Sequence, residues 1–287
     1  MYRMITVAGK AALEHEGQYF DLAILTAQPQ WGDPMYAVAH HDELHEWAAI
    51  CGDTTPTGSL ADVTLGPPVP SSRQVFGIGL NYRDHAQETG AQLPPAPLTF
   101  TKYPSCIAGP TASIPLSGET VDWEVELVAV VGRTARHVSR ESAWDYLAGL
   151  TLGQDISDRT VQRAGVPPQF NLGKSFENYG PTGPALVSLD SFPNLHDIGL
   201  GCDVDGTTMQ SASSAQMIFD IPTLVAYLSS IVTLYPGDLI FTGTPAGVGA
   251  ARGIFLRPGS VLTSRADIIG SLRNECVAGQ APLDVSA

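Results

Sequence analysis

The sequence predicts a β-rich α+β fold, with a small N-terminal domain at residues 1–70 and a larger domain at residues 71–287. Short apolar runs and alternating segments dominate the chain, and 29 glycines and 22 prolines supply turns between them. Only two segments after the first domain show helical spacing, so a regular strand–helix alternation is not expected. The stretch GPPVPSS, residues 66–72, is rich in proline and serine and is the predicted linker.

Before the linker, the segments MYRMITVAGK and QYFDLAILTA alternate or run apolar, as short strands do. The segment HHDELHEWAAICGD predicts one short helix that ends near Gly52. His41 and His45 stand four residues apart in it, but no glutamate directly follows His41 and no third ligand is evident. We therefore expect a solvated helix face there rather than a zinc site.

Two helices and a hairpin are predicted after the linker. The hairpin turns at Asp205-Gly206, a dipeptide that favours tight turns. One helix is expected to begin near Ser139, and the other to follow Asp220 and end before Pro236. Each has three apolar residues on its predicted inner face: Trp144, Leu147 and Leu150 in the first, and Leu224, Leu228 and Ile231 in the second.

The formal net charge is −14, from 15 Lys and Arg against 29 Asp and Glu. Nucleic acids and anionic membranes repel such a chain, so neither is an expected partner. No apolar stretch reaches the roughly 18 to 20 residues of a membrane span, and no signal-peptide core is seen. The four cysteines lie far apart, which predicts reduced thiols and a cytoplasmic location. An anionic substrate would require a local concentration of basic residues.

Acidic residues alternate at the start of the strongest strand signal, VDWEVELVAVVGR. Asp122, Glu124 and Glu126 therefore share one face of the strand. Either these acids are solvated on an edge strand, or they form a site for a hard cation such as Mg²⁺, Mn²⁺ or Ca²⁺. Asp155 follows the apolar segment LAGLTLGQ and is a candidate third ligand beside Glu124 and Glu126. Asp122 and Asp158 are expected outside the ligand set, Asp158 as a solvated turn residue.

Basic and polar residues follow the third acid. Arg159 and Gln162 stand close to Asp155 in the sequence, and Lys174 lies further on in NLGKSF, with a glycine before it. Lys174 is either an exposed surface residue or, beside a metal, a fixed positive charge for a carboxylate or a developing oxyanion.

His85 and Glu88, in GIGLNYRDHAQETG, are three residues apart, which is about one helical turn. A carboxylate beside an imidazole raises its basicity, so the pair is suited to activating water. Gly77 and Gly79 lack the third glycine of a dinucleotide-binding motif. The stretch TGTPAGVG lacks the Gly-Lys-Ser/Thr ending of a phosphate loop, and we expect it to bring Thr244 and backbone N–H groups close to a small ligand.

Six motifs between about residues 74 and 277 resemble, in their order, those of the fumarylacetoacetate hydrolase family. They are NYRDHAQE, WEVELVAVVG, GQDISDRTVQ, LGKSF, PGDLIFTGTPAGVG and IIGSLRNECV. Each motif alone is weak, and their common order makes the resemblance specific. It implies a mixed β-roll, a smaller and variable preceding domain, and a homodimer. Residues 1–70 match no motif of the family.

The resemblance also implies roles for single residues. Three carboxylates would hold Mg²⁺ or Mn²⁺, namely Glu124, Glu126 and Asp155. His85 and Glu88 would be the catalytic pair, on a segment that closes over the ligand, and Lys174 would complete the catalytic set. The implied substrate-binding residues are Arg159, Gln162, Thr244, Tyr82 and Lys102.

The leading hypothesis is metal-dependent hydrolysis of a carbon–carbon bond in a small 2,4-dioxo acid, such as an acylpyruvate or fumarylpyruvate, as in aromatic catabolism. His85 would deprotonate water, Lys174 would offset negative charge, and pyruvate or a related 2-oxo acid would leave. The alternative is decarboxylation of an oxaloacetate-type diacid, or isomerisation or hydration of an unsaturated 2-oxo acid, through the same enolate. A third hypothesis is a metal- or anion-binding module, which would have no use for the base His85.

Overall fold

The computed structural model describes residues 1–280, and the end of the predicted second domain, residues 281–287, lies outside the described residues. Strands far outnumber helices in the described range, and the longest helices have only 11 residues. The predicted β-rich α+β fold is confirmed.

The elements are numbered here in chain order. The strands are β1 (Arg3–Val7), β2 (Lys10–His15), β3 (Gln18–Asp21), β4 (Gly58–Ser59), β5 (Leu65–Gly66), β6 (Val75–Gly79), β7 (Leu98–Thr101), β8 (Ile107–Ala108), β9 (Ile114–Leu116), β10 (Val121–Asp122), β11 (Val125–Val131), β12 (Leu147–Gln154), β13 (Ser157–Asp158), β14 (Gly180–Val187), β15 (Gly199–Val204), β16 (Thr207–Ser213), β17 (Leu239–Phe241), β18 (Val261–Ala266) and β19 (Gly270–Ala278). The α-helices are α1 (Leu22–Thr26), α2 (Pro34–Ala39), α3 (His41–Cys51), α4 (Arg83–Thr89), α5 (Arg159–Gln162), α6 (Phe170–Gly173), α7 (Ile221–Ile231) and α8 (Gly249–Arg252). Short 3₁₀ helices span Pro29–Gly32, Leu60–Asp62, Pro104–Cys106, Ala143–Tyr146, Leu189–Ser191 and Ser214–Gln216.

The larger sheet has the strand order β4-β3-β2-β1-β14-β12-β11-β17-β6-β7, and β5 and β8 join it beside β1 and β14. Most neighbours are antiparallel, but β17 runs parallel to β6, so the sheet is mixed. A second sheet has the order β16-β15-β18-β19-β9. Its hairpin between β15 and β16 turns at Asp205 and Gly206, as predicted, and both residues have positive φ values, +50° and +78°.

Two apolar cores lie on opposite faces of the larger sheet, and β11 contributes to both. Val125, Leu127 and Ala129 belong to the core shared with the second sheet, whereas Val128 and Val130 belong to the core on the other face. Every residue of β11 is buried. A strand that is buried on both faces reads as a continuous apolar run, which explains the end of the VELVAVV segment.

The first 70 residues extend the larger sheet, because β1 pairs with β14 and places Met4 opposite Leu186. The predicted helix that ends near Gly52 is confirmed as α3, and its Leu44 packs into the core that contains Val130. The division into two domains at residue 70 stays a prediction.

The prediction of a helix after Ser139 is wrong. A 3₁₀ helix spans only Ala143–Tyr146, and Leu147 and Leu150 belong to β12. All of β12 is buried between β11 and β14, and pairing on both edges outweighs the local helical spacing. The segment LAILT after β3 is the short helix α1 rather than a strand, because Asp21 caps its first turn.

Helix α7 follows Asp220, as predicted, and Leu224 and Leu228 are buried. Ile231 is 60% exposed, so the prediction for this residue is wrong, because the helix ends there at the surface. The predicted solvated face of α3 is also wrong for His41, whose buried ring lies 3.2 Å from the carbonyl oxygen of Val38. Among residues 1–280, no helix combines the length and the apolar character that a bilayer span requires.

Candidate active site

The candidate site forms where several strands of the larger sheet end side by side. Strands β6 and β17 run parallel, so the chain leaves both at the same edge, after Gly79 and Phe241. Next to them, β11 begins at this edge, and its antiparallel neighbour β12 ends there, with Val125 opposite Gln154. Side chains that are distant in the sequence therefore meet at this edge.

Three carboxylates meet there. Glu124, Glu126 and Asp155 each place an oxygen within 4.8 Å of the other two, and all three residues are buried. The backbone N–H of Asp155 donates to the carbonyl oxygen of Glu124 at 2.8 Å, which holds the two segments together beyond the strand ladder. Because β11 is a central strand and these acids are buried, the alternative of a solvated edge strand is excluded.

Two nearly fully buried lysines surround the carboxylates. Lys174 Nζ donates to Glu124 Oε2 at 2.8 Å and to Asp155 Oδ2 at 2.6 Å. It also donates to Ser157 Oγ at 2.9 Å. Lys102 Nζ donates to Asp155 Oδ1 at 2.7 Å and to two backbone carbonyl oxygens. Lys174 is thus not an exposed surface residue, and both lysines supply positive charge to the acidic cluster.

Arg159 joins the cluster to a fourth acid. Its Nε donates to Asp122 Oδ1 at 2.7 Å, and its Nη2 donates to Glu124 Oε1 at 2.5 Å. Its Nη1 donates to Gln162 Oε1 at 2.8 Å. Asp122 also accepts from the backbone N–H of Ala250 at 2.7 Å, so it lies outside the three-carboxylate cluster and orients Arg159.

The electrostatics of the cluster favour a bound cation. Burial, together with Asp155 and Glu124, raises the pKa of Glu126 well above its ordinary value. Burial also raises the pKa of Asp122 to about 6, although Arg159 opposes this. Burial alone would raise the pKa of Glu124, but Lys174 and Arg159 outweigh it and lower that pKa to about 2. Positive charge is therefore sufficient at Glu124 and insufficient at Glu126, where a cation would stabilise the ionised carboxylate.

A histidine–glutamate pair lies on α4, directly after β6. His85 Nδ1 lies 3.4 Å from Glu88 Oε2. The two oxygens of Glu88 accept from the backbone N–H of Gly247 at 3.0 and 3.1 Å. Gly247 has a φ of +108°, and an added Cβ would lie 2.0 Å from the carbonyl oxygen of Met209, so only glycine fits here. Because Nδ1 faces Glu88, the Nε2 atom of His85 is the one left for a ligand.

The loop after β17 orients the site rather than offering all its N–H groups to a ligand. The backbone N–H of Gly243 donates to Glu126 Oε2 at 2.7 Å. Thr244 Oγ1 donates to the carbonyl oxygen of Val125 at 2.9 Å and accepts from Gln210 Nε2 at 2.8 Å. The loop thus fixes Glu126, just as Gly247 fixes Glu88.

A cavity of about 590 Å³ opens beside the cluster. Most of the predicted catalytic and substrate-binding side chains line it, namely His85, Glu88, Arg159, Gln162 and Lys174, and so does the predicted metal ligand Glu124. Thr244 lines it as well. Two other predicted substrate-binding residues are not among its lining residues. Lys102 is held by the three acceptors described above, and Tyr82 is fully buried in the core shared with the second sheet.

One acid near the site differs from its prediction. Asp158, expected to be a solvated turn residue, is buried. Its Oδ2 accepts from Ser117 Oγ at 2.6 Å, and its Oδ1 accepts from the N–H groups of Thr160 and Val161 at the start of α5. Asp158 therefore caps the helix that carries Arg159.

Sequence reasoning missed two residues that shape the site. Asn81 Nδ2 donates to the carbonyl oxygen of Thr242 at 2.7 Å and ties the start of α4 to the loop after β17, 161 residues away. An added Cβ on Gly77 would lie 2.3 Å from the ring of Phe100, so this glycine makes room for a cavity wall. Asn81 lies in the motif NYRDHAQE and Gly77 in an incomplete dinucleotide-binding motif, but neither pattern reveals these functions, since both depend on distant partners.

Comparisons with known proteins identify relatives. The family model described as fumarylacetoacetate (FAA) hydrolase C-terminal matches residues 74–277. The mitochondrial oxaloacetate tautomerase Fahd2a of Rattus norvegicus is 40% identical over 222 residues, which are 76% of this chain and 70% of the relative. The mitochondrial oxaloacetate tautomerase FAHD2A of Homo sapiens is 38% identical over 226 residues, 77% of this chain and 72% of the relative.

Solved structures share the fold over almost the whole chain. A crystal structure from Mycobacterium smegmatis has a TM-score of 0.90 and 42% identity, and covers 96% of this chain and 99% of its own. The maleylpyruvate hydrolase of Sphingobium sp. SYK-6, in complex with manganese(II) and pyruvate, has a TM-score of 0.81 and 26% identity. That match covers 97% of this chain and 100% of the hydrolase.

Proposed function

The chain belongs to the fumarylacetoacetate hydrolase family, and on that premise we propose that it catalyses keto–enol interconversion of a small 2-oxo acid with a divalent cation as cofactor. The observation that carries this proposal is that His85, backed by Glu88, shares one cavity with Glu124 of the buried carboxylate cluster. Tautomerisation moves one proton at the carbon beside a carbonyl, and it requires a base and an anchor for the acid. The relatives named oxaloacetate tautomerase support this reaction.

The residues of the cluster fit a divalent metal. Glu124, Glu126 and Asp155 offer carboxylate oxygens, the donors that Mg²⁺ and Mn²⁺ prefer, and Glu126 lacks sufficient neighbouring positive charge. These three residues would hold the ion. When bound, the ion would act as a Lewis acid toward the 2-oxo carbonyl of the substrate.

The chain itself supplies the anchor for the substrate. Lys174 and Arg159 lie at the deep end of the cavity, and Gln162 beside them can donate a hydrogen bond. Burial alone would lower the pKa of Lys174, but Asp155 and Glu124 outweigh it and raise that pKa, so the ammonium stays charged. A fixed positive charge in a buried site orients the substrate carboxylate and offsets charge that develops on the enolate oxygen.

His85 moves the proton. Its Nε2 takes a proton from C3 of the 2-oxo acid and gives a proton back at the carbonyl oxygen, so no atom is gained or lost overall. Glu88, held by Gly247, keeps the ring in one orientation and stabilises its protonated form. The cluster and the base therefore act on neighbouring atoms of the same substrate.

Hydrolysis of a carbon–carbon bond in a 2,4-dioxo acid is the second candidate. The same His85 Nε2 could take its proton from a water molecule instead of from C3. The structural likeness to a maleylpyruvate hydrolase supports this candidate. Decarboxylation of oxaloacetate needs no base at this position, and it ranks below the other two because the His85–Glu88 pair would have no part in it.

The test uses metal-stripped protein to which Mg²⁺ or Mn²⁺ is added back. We expect the ultraviolet absorbance of enol oxaloacetate to decay faster when the metal is present. No pyruvate should be released. His85→Ala should slow this by roughly 10²- to 10⁴-fold, the usual contribution of a general base. The affinity of the His85→Ala variant for Mn²⁺ should equal that of the unchanged chain, because His85 is not one of the three residues that would hold the ion.

The exposed His15, on β2, provides the matched control: His15→Ala should leave the rate unchanged. Pyruvate release from acetylpyruvate, without tautomerase activity, would favour the hydrolase. Pyruvate release from oxaloacetate that survives His85→Ala would favour the decarboxylase. Absence of turnover with every one of these acids would refute the proposed function.

A further inference from the structure

The cavity has two chemically different parts. Its deep end is charged, because Glu124, Arg159 and Lys174 are there and are only 7%, 8% and 2% exposed. Toward the solvent its lining is mainly apolar and less buried: Leu80, Ala91, Leu98, Pro168 and Phe170. A small acid anchored at the deep end would therefore direct its far end to an apolar wall.

The volume of the cavity exceeds what a small diacid needs. Oxaloacetate has nine heavy atoms, and even at about 30 Å³ each, the volume of a liquid water molecule, it would take less than half of the 590 Å³. The unused part is the apolar one. A second carboxylate placed there would lose hydration without gaining a hydrogen bond from the wall.

The apolar wall is linked to the charged end through α6. Phe170 begins this helix and Lys174 caps its end, so the two side chains lie about one turn, roughly 6 Å, apart along the axis. Both line the cavity, as residues at positions i and i+4 of a helix share a face. Phe100 packs edge-on against Phe170 at 5.9 Å between ring centroids, and Lys174 Nζ lies 5.1 Å from the centroid of Phe100.

We propose that the preferred substrate is a 2-oxo acid that carries an apolar, aryl-sized group where oxaloacetate carries its second carboxylate. This inference rests on the proposed function and names its substrate class. The carboxylate and the 2-oxo group bind at the deep end, and the apolar group packs against Phe170, Leu98 and their neighbours. An aromatic ring of the substrate that packs edge-on against Phe170 would bury apolar surface on both rings.

Arg163 supports the opposite possibility, a diacid. It lines the cavity near its mouth, is exposed, and forms no salt bridge to an acid among residues 1–280. The apolar wall outweighs it, since an exposed arginine contributes little to binding a carboxylate in water.

The experiment compares phenylpyruvate with oxaloacetate on the Mn²⁺-loaded chain of residues 1–287. We expect kcat/KM for tautomerisation to be higher for phenylpyruvate. Phe170→Ala should lower the ratio of kcat/KM for phenylpyruvate to kcat/KM for oxaloacetate by about tenfold or more, because loss of apolar contact has effects of this size in specificity pockets. Leu98→Ser gives a second variant at a position that is 43% exposed and so contributes little to the core, and it should shift the ratio the same way.

A binding measurement tests the preferred substrate class without turnover. Calorimetry on the His85→Ala variant with Mn²⁺ should show tighter binding of phenylpyruvate than of oxaloacetate. The inference is overturned if oxaloacetate binds more tightly than phenylpyruvate, and if the ratio of the two affinities changes in Arg163→Gln but not in Phe170→Ala. Failure of the proposed function looks different: no 2-oxo acid would be turned over by the unchanged chain, whatever the order of affinities.

Discussion

At the scale of single residues, the candidate site is a cluster of buried charges in which acids outnumber bases. Asp122 and the three carboxylates of the cluster face Lys102, Lys174 and Arg159. Buried charges are costly unless they are paired, and Glu126 is the acid without a basic partner in this network. A divalent cation would balance the cluster and leave positive charge for one substrate carboxylate.

The proposed role of Glu126 as a metal ligand gives a direct prediction. If Glu126 holds the ion, Glu126→Gln should weaken Mn²⁺ binding at least tenfold, because the substitution removes a negatively charged oxygen and keeps the size of the side chain. Isothermal titration of the stripped protein measures this. Glu119→Gln removes an exposed acid outside the cluster and should bind Mn²⁺ as the unchanged chain does. Equal affinities for Glu126→Gln and the unchanged chain would show that the ion binds elsewhere.

At the scale of elements, short helices and loops at the sheet edge hold the site in place. Helices α5 and α6 have four residues each, yet one carries Arg159 and the other is capped by Lys174. They approach closely at Gly173, where an added Cβ would lie 2.5 Å from the backbone nitrogen of Gln162. The glycine before Lys174 thus has a packing function that the sequence did not reveal.

Gly173→Ala tests this close approach. The variant must push α5 and α6 apart, so we expect a loss of about 1–3 kcal/mol in the free energy of unfolding and a lower kcat as Lys174 shifts. Urea titration and steady-state kinetics measure the two effects. Gly32→Ala is the control, because its Cβ would make an ordinary contact of 3.4 Å with Ala23 Cβ. If both variants were equally stable, the close approach at Gly173 would have no energetic role.

The cap of α7 gives a prediction that depends on pH. Asp220 Oδ1 accepts from the N–H of Thr223 at 3.0 Å, and its Oδ2 accepts from Arg140 at 2.5 Å. Burial would raise the pKa of Asp220, but the hydrogen bonds from Arg140 and Thr223 outweigh it and hold that pKa below its ordinary value. A lowered pKa stabilises the fold above the unfolded-state pKa, near 4, and this stabilisation is lost as the pH falls through the folded-state value.

Asp220→Ala should therefore cost about 1 kcal/mol at pH 7, and clearly less at pH 3. Urea unfolding at the two pH values provides the measurement. Asp220→Asn keeps an oxygen that can cap the helix but loses the charge, so at pH 7 it should lose the part of the stability that the charge contributes and keep the part that the cap contributes. A cost for Asp220→Ala that is the same at both pH values would mean that the ionised form contributes nothing.

At the scale of the whole molecule, the two faces of the larger sheet serve different purposes. The core on one face joins the first 70 residues to the rest, with Leu13, Leu22 and Leu44 packed with Val130 and Phe241. The core on the other face joins the larger sheet to the second sheet. The predicted homodimer and cytoplasmic location stay predictions at this scale.

The shared core predicts a single unfolding transition. Trp31 lies in the first 70 residues and Trp123 in the remainder, and both are buried. Trp47 and Trp144 are the second tryptophans of the two segments, so replacing Trp31 and Trp47 by Phe leaves fluorescence only from the remainder, and replacing Trp123 and Trp144 by Phe leaves it only from the first 70 residues. In both double variants, the fluorescence and the far-ultraviolet circular dichroism should change at the same urea concentration, since both segments share one core. Two separate midpoints in either variant would instead support independent domains divided near residue 70.

Local sequence patterns were sufficient to predict which chemical groups form the candidate site. Alternating acids at the start of β11, an acid directly after β12 and a histidine three residues before a glutamate are local patterns, and local patterns can be read without knowing the fold. The hairpin at Asp205-Gly206 and the helix after Asp220 were likewise predictable, because turn and cap residues act on their own neighbours.

Contacts between residues that are far apart in the chain could not be predicted in this way and required the folded structure. Three features arise because parallel and antiparallel strands end at one edge: the burial of Lys174, the salt bridge between Arg159 and Asp122, and the apolar wall at Phe170. The prediction of a helix after Ser139 failed for the same reason. Strand β12 is paired on both sides, and this pairing outweighs a local helical spacing. The sequence thus specified which groups are present, and the sheet determined which of them meet and which are shielded from water.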